Sequence, residues 1–152
     1  MKKYTFRLEP VLKLRRLKEE NCRMELGRLL QDLNRIEDQL KHDREEVSNY
    51  YKIQESGLKN GIRGDQLQAF PMLVAAKDKN IQLLLRDQKI QEGKVETKKQ
   101  ELAILRGELK VLENLKEKDY GEFRKAVNKD TDQKVEEQTQ IWLQHRDKKA
   151  LV

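Results

Sequence analysis

From Cys22 onward the sequence places residues at alternating intervals of four and three: Cys22, Leu26, Leu29, Leu33, Ile36, Leu40, Asp43, Val47 and Tyr50. A repeat averaging 3.5 residues keeps one stripe on one face of an α-helix and makes that helix wind around a partner. A stripe this narrow cannot close a globular core by itself. The helix must pair, and Asp43 is the one charged member of its seam. A second seam carries Val74, Ile81, Leu84, Val95, Leu102, Leu105, Leu109 and Leu112, with Gln88, Gln91 and Lys98 as polar members that weaken the pairing and fix its register. Leu83, Leu85, Ile104 and Leu115 lie beside this seam and are expected to broaden it.

Composition agrees with paired helices. Charged residues make up 39% against 36% apolar, aromatics are 5%, and there are two prolines. That is too polar for a thick core and has the character of long helices or coiled coil. Disorder is the competing reading of so charged a chain, but disordered tracts do not place leucine every three and four residues.

Between the seams, Gly57, Gly61 and Gly64 fall within eight positions and mark the turn. The expected fold is therefore all-α: one coiled-coil domain over 1–152, a long two-stranded antiparallel coiled-coil hairpin. Helix 1 spans about 4–56 and the glycine-rich turn 57–64. A short helical turn follows at 65–70, and helix 2 covers about 72–145. Asp65, with Gln68 three residues on, suits an N-cap, and Pro71 predicts a kink. Antiparallel pairing across this turn matches residues whose numbers total about 120, setting Leu40 near Ile81 and Leu12 near Leu109. At 1.5 Å per residue the first arm reaches about 75 Å. Beyond about residue 115 the second helix lacks a partner, leaving a helical overhang with Tyr120, Phe123, Val127, Val135, Ile141, Trp142 and Leu143. An unpaired helix of that polarity is marginal in water, so it frays or is received by another protein.

The net charge of +6 is concentrated at the start, where Lys2, Lys3, Arg7, Lys13, Arg15, Arg16 and Lys18 stand against Glu9 alone. Such a stretch suits an acidic protein surface, an anionic membrane surface or nucleic acid, or is simply a solvated helix start. Nucleic-acid binding is disfavoured because apolar residues interleave with the basic ones every third or fourth position. For a membrane surface, the apolar face is already claimed by the hairpin. Phe6, Leu8, Val11, Leu12, Leu14 and Leu17 are denser than one seam requires, so this end offers a wider apolar face.

The lone Cys22 excludes an intrachain disulfide and fits a reducing, cytosolic compartment. The start lacks the apolar run of a signal peptide, and no stretch approaches the roughly 18 apolar residues of a membrane span; the expectation is a soluble chain. Catalytic and cofactor chemistry is not indicated. The glycines of the turn lack phosphate-loop spacing, and His42 and His145 have no Cys or His at ligand spacing. Carboxylates such as Glu45 and Glu46 sit on charged helix faces without the water-excluding pocket that acid–base work needs. The reading is a non-enzymatic protein with no catalytic residue, cofactor or metal.

The opening Tyr4-Thr-Phe-Arg-Leu-Glu-Pro-Val-Leu-Lys-Leu-Arg-Arg-Leu-Lys-Glu-Glu20 resembles the start of the FliJ family of flagellar export proteins. Gln39-Leu40, Tyr50, Asn60-Gly-Ile62 and the run Leu67, Phe70, Leu73, Ile81 resemble it at the corresponding places. The resemblance implies a cytoplasmic component of the type III export apparatus, peripheral to the inner membrane at the flagellar basal body, shaped like the stalk of a rotary ATPase. Its implied partners are the hexameric export ATPase and its regulator, the cytoplasmic domain of the export gate, and substrate-specific export chaperones that it escorts; nucleic acid is not among them. The residues it suggests for the ATPase end are Phe6, Leu8, Leu12, Arg15 and Arg16, with the C-terminal overhang. For the gate they are Gln39, Tyr50 and Leu73, where packing of Tyr50 and Leu73 across the hairpin is the alternative. Asp43 and Glu46 stand where the family often has a further aromatic. The competing readings are an injectisome-type stalk or general coiled-coil scaffold, and a nucleic-acid-binding hairpin.

Overall fold

A computed structural model describes residues 2–151. Two helices account for nearly all of them: α1, Glu9–Asn60, and α2, Gly64–Ala150. They pack against each other as an antiparallel hairpin, and among the described residues there is no strand. The packing forms two compact units, Glu19–Ile104 and Met1–Lys18 with Leu105–Val152.

Within the unit Glu19–Ile104 the two heptad stripes form the seam. Every member from Cys22 to Tyr50 is at least half-buried, and Val74, Ile81, Gln91, Val95 and Leu102 are buried opposite them. The register is visible in three polar contacts. Cys22 Sγ lies 3.9 Å from the Lys98 carbonyl, Gln91 Nε2 donates to the Leu29 carbonyl at 3.1 Å, and Lys77 Nζ lies 3.4 Å from Asp43 Oδ1. Each pair's numbers total 120, as the turn position requires, and the contacts step by seven or fourteen residues along each helix.

The turn is tighter than the glycine pattern suggests: it occupies residues 61–63, with Gly57 and Gly64 inside the helices. α1 stops because Gly61 takes φ +84°, the left-handed conformation that terminates helices and that a Cβ disfavours. Gly57 has a different reason to be glycine. A Cβ there would lie 2.9 Å from Ile62 Cδ1, so its bare backbone admits the isoleucine that folds back over the last turn of α1.

Three further boundaries differ from expectation. α1 begins at Glu9, not near residue 4, because Pro10 has no N–H to give the Phe6 carbonyl and is accepted only in a first turn. α2 begins at Gly64, where the Arg63 carbonyl accepts the Leu67 N–H at 3.0 Å, so Asp65 sits in the first turn beside the helix dipole and is not the cap. The separate helical turn at 65–70 is absent, since α2 runs unbroken through Pro71 to Ala150. The lost hydrogen bond and ring clash cost about 3 kcal/mol. Half-buried Leu67 and Phe70 and buried Val74 hold both sides of the proline against α1. Leu83, Ile104 and Leu115 do not broaden the seam; all three are exposed, because they fall on another face of α2.

In the unit built from the chain ends, Leu12 is fully buried and Leu105, Leu109 and Leu112 are half-buried. Residues 2–6 are not helical. A helix advances only about 1.5 Å per residue, and a non-helical segment is free of that limit. Tyr4 therefore reaches Tyr120 and Phe123, with ring centroids 5.1 and 5.3 Å away. The overhang accordingly starts after Phe123 and not near 115, and from Arg124 to Leu151 every residue is exposed.

Gly61→Ala should lower stability by about 1–2 kcal/mol through left-handed strain. Gly27→Ala, where a Cβ meets nothing within 4 Å, should raise it by about 0.5–1 kcal/mol. Urea titrations followed by helical circular dichroism read both.

Candidate partner-binding surfaces

Two side-chain clusters and two exposed apolar patches mark the candidate surfaces. The first cluster lies at the chain ends. The Tyr4 hydroxyl donates to the Lys116 carbonyl at 3.3 Å or to Asp119 Oδ2 at 3.0 Å. Burial, with the nearby Asp119 carboxylate, holds its pKa above the ordinary tyrosine value. Lys116 Nζ reaches Glu9 Oε2 at 2.7 Å and holds that carboxyl below the usual range. Arg15 pairs with Glu108, and Arg16 Nε lies 3.6 Å from Glu113 Oε1. Part of the basic N-terminal charge is thus answered by carboxylates of α2.

The five residues suggested for the ATPase end all lie in this unit but differ in what they present. Phe6 and Leu8 are half-buried, and the Phe6 carbonyl accepts the Glu9 N–H at 3.2 Å. Leu12 has no exposed surface, so it supports the face from beneath. Arg15 and Arg16 present guanidinium groups already turned toward α2. The open part of the wide apolar face is Val11, Leu14 and Leu17, which are 40%, 51% and 53% exposed.

The second cluster lies in the seam of the other unit. Asp43 is 2% exposed and takes a hydrogen bond from Gln39 Nε2 at 2.9 Å. Lys77 extends from α2 to Asp43 and Glu46; its pKa is raised, and its hydrogen bond lowers that of Glu46. His42 Nε2 lies 3.1 Å from Glu46 Oε1. His42, Asp43 and Glu46 bring ligand atoms within 4.8 Å of one another, a grouping that the spacing of histidines to Cys or His does not reveal. The Lys77 ammonium lies against both carboxylates, so the group is explained as a seam ion-pair cluster in which Asp43 is buried and Glu46 and Lys77 are half-buried. A similar arrangement joins Lys98 to Glu25 at 2.7 Å and Glu101 at 2.9 Å; these bonds raise the lysine pKa, and the lysine lowers that of Glu25.

The three gate candidates are not one patch. Gln39 and Tyr50 are eleven residues apart on α1, about 16 Å along the axis. Gln39 is committed to Asp43, Tyr50 is half-buried, and Leu73 is 45% exposed. Near the turn the freely offered apolar side chains are Tyr51, Ile53, Leu58 and Met72, exposed by 52% or more.

Paired helices that leave apolar faces open, with grooves rather than an enclosed cavity among the described residues, define a helical protein suited to docking. The family comparison makes this specific: the model for the flagellar FliJ protein matches residues 3–148, and the chain belongs to that family, which is associated with flagellar export. No curated protein and no solved structure matches. Among the described residues no helix is long and apolar enough to cross a membrane.

The pKa shifts fix the sign of the pH response. Glu9, Glu25 and Glu46 titrate below their ordinary value of 4.5, so their pairs stabilise the fold fully above that value and lose this effect as pH falls through the lowered values. Urea midpoints should therefore drop between about pH 6 and about pH 3. Replacing Lys77 with Met should lower the midpoint at neutral pH by stranding Asp43 without its countercharge.

Proposed function

We propose that this chain is the coiled-coil stalk of a flagellar export ATPase: it inserts its terminal end into the hexameric ring, promotes assembly and turnover there, contacts the export gate nearer the turn, and escorts substrate chaperones. It works in the cytoplasm at the basal body, peripheral to the membrane, and catalyses nothing itself. Family membership supports the flagellar export setting. The observation that carries the finer reading is the surface of the terminal unit, where Val11, Leu14 and Leu17 are exposed and the helix from Arg124 onward is covered by nothing. Exposed apolar groups beside Lys13 and Lys18 suit a ring interior with apolar and acidic side chains.

Phe6, Leu8, Arg15 and Arg16 are assigned to this interface, with Leu12 and the Tyr4 contacts holding the face in shape. Gln39, Tyr50 and Leu73 are assigned to the gate, Gln39 through its hold on Asp43. Mixing the full chain with the purified cognate ATPase should raise ATP hydrolysis and give co-elution with the ring. A Leu14→Glu/Leu17→Glu chain, unchanged in helicity because both positions are exposed, should lose at least about tenfold in apparent affinity. Absence of both stimulation and co-elution with the unmodified chain would exclude the stalk role.

A further inference from the structure

α2 carries a second stripe that the hairpin does not use. Leu83, Ile90, Thr97 and Ile104 recur every seven residues, and the three apolar members are 50%, 54% and 64% exposed. At about 100° per residue they lie between about 80° and about 180° around α2 from Ile81, Gln91, Val95 and Leu102, which are buried against α1. The Thr97 hydroxyl bonds back to the Gly93 carbonyl at 3.0 Å and is satisfied within the helix.

Gly93 sits three residues after Ile90, and a Cβ there would meet nothing within 4 Å. The hairpin has no use for a glycine at this point, although mid-helix glycine costs about 1 kcal/mol relative to alanine. Its missing side chain deepens an open groove that Ile90, Lys94, Thr97, the paired Lys98 and Glu101 and, from α1, Leu29 also line. A second groove, around Leu83 and Leu85, is rimmed by Lys79, Arg86 and Lys89 without a carboxylate.

Charge selects the occupant. The seam cations Lys77 and Lys98 each meet two carboxylates. Lys79, Arg86, Lys89 and Lys94 make no ion pair or hydrogen bond among the described residues. Of the residues lining the two grooves, Glu101 alone is a carboxylate, and Lys98 already holds it. We propose that α2 between Leu83 and Ile104 is a docking groove for an acidic amphipathic helix of another protein. Leu83, Ile90 and Ile104 receive its heptad-spaced apolar anchors, and the four cations receive its carboxylates. The stripe extends about 32 Å, the length of a helix of some twenty residues. This site uses residues separate from those assigned above and does not depend on the flagellar reading.

The probe is a designed, fluorescein-labelled helical peptide of about three heptads, with Leu and Ile at its seam positions and Glu at the flanks, titrated with the full chain by anisotropy. Binding should occur, weaken at least about tenfold when salt rises from about 50 to about 300 mM, and vanish for the same peptide with Lys in place of Glu. Leu83→Glu/Ile90→Glu should weaken it at least about tenfold at unchanged helicity and melting temperature. Lys79→Glu/Arg86→Glu/Lys89→Glu, which removes no apolar surface, should do the same. The proposal is overturned by absence of binding to the acidic peptide, by equal binding of the lysine peptide, or by binding that survives both variants. It is also overturned if sedimentation shows self-association of the chain that Ile90→Glu abolishes.

Discussion

Asp43 carries a carboxylate into the seam, where only 2% of its surface meets water, and the alignment of α1 on α2 around it depends on what meets it there. Lys77 does, from the seam of the other helix, with Gln39 and Glu46 completing the set. Leucines alone would tolerate a shift of one heptad, because the seam repeats every seven residues. A shift would separate Asp43 from Lys77 and leave a buried charge uncompensated, which is far more costly than an imperfect apolar contact. Gln91 on the Leu29 carbonyl, and Lys98 between Glu25 and Glu101, impose the same alignment at two further points. Where these contacts stabilise the pairing little, they act by excluding its alternatives.

Much of this architecture can be read from the chain because heptad spacing is a local property. The two seams, the antiparallel pairing about 120 and the glycine break all follow from intervals in the sequence. The misjudged features are those in which one residue acts on another at a distance. Gly57 reads as a turn residue until Ile62 is seen folding onto it. Tyr120 and Phe123 read as unpaired until the non-helical segment that precedes α1 brings Tyr4 over them. Asp43 reads as an interruption because Lys77, its partner, stands out from its neighbours only once the helices are paired. Leu83, Ile90 and Ile104 read as spare apolar residues because a one-dimensional stripe does not show which side of α2 is covered.

Those distinctions bear on function. The residues suggested for docking divide into supports, such as Leu12 and Gln39, and groups with exposed surface, such as Leu14, Leu17 and Leu73. In a FliJ-family chain the useful product of folding is this division: a few seam contacts fix the helices so that separate faces remain free. The terminal unit offers an apolar patch beside cations, the region near the turn offers Tyr51, Ile53, Leu58 and Met72, and the outer side of α2 offers a basic groove. The surfaces differ in charge and shape, so they suit different partners.

The central claim is the register, and cysteine cross-linking tests it within the unit Glu19–Ile104. Ile36 and Leu84 occupy seam positions midway between the Leu29–Gln91 and Asp43–Lys77 contacts. In a Cys22→Ser background, Ile36→Cys/Leu84→Cys should oxidise rapidly to an intramolecular disulfide. Ile36→Cys/Gln91→Cys is displaced by one heptad, about 10 Å along the axis, beyond the reach of a disulfide, and should not. Rapid intramolecular cross-linking of the displaced pair, with none in the aligned pair, would contradict the register and the role given to Asp43 and Lys77.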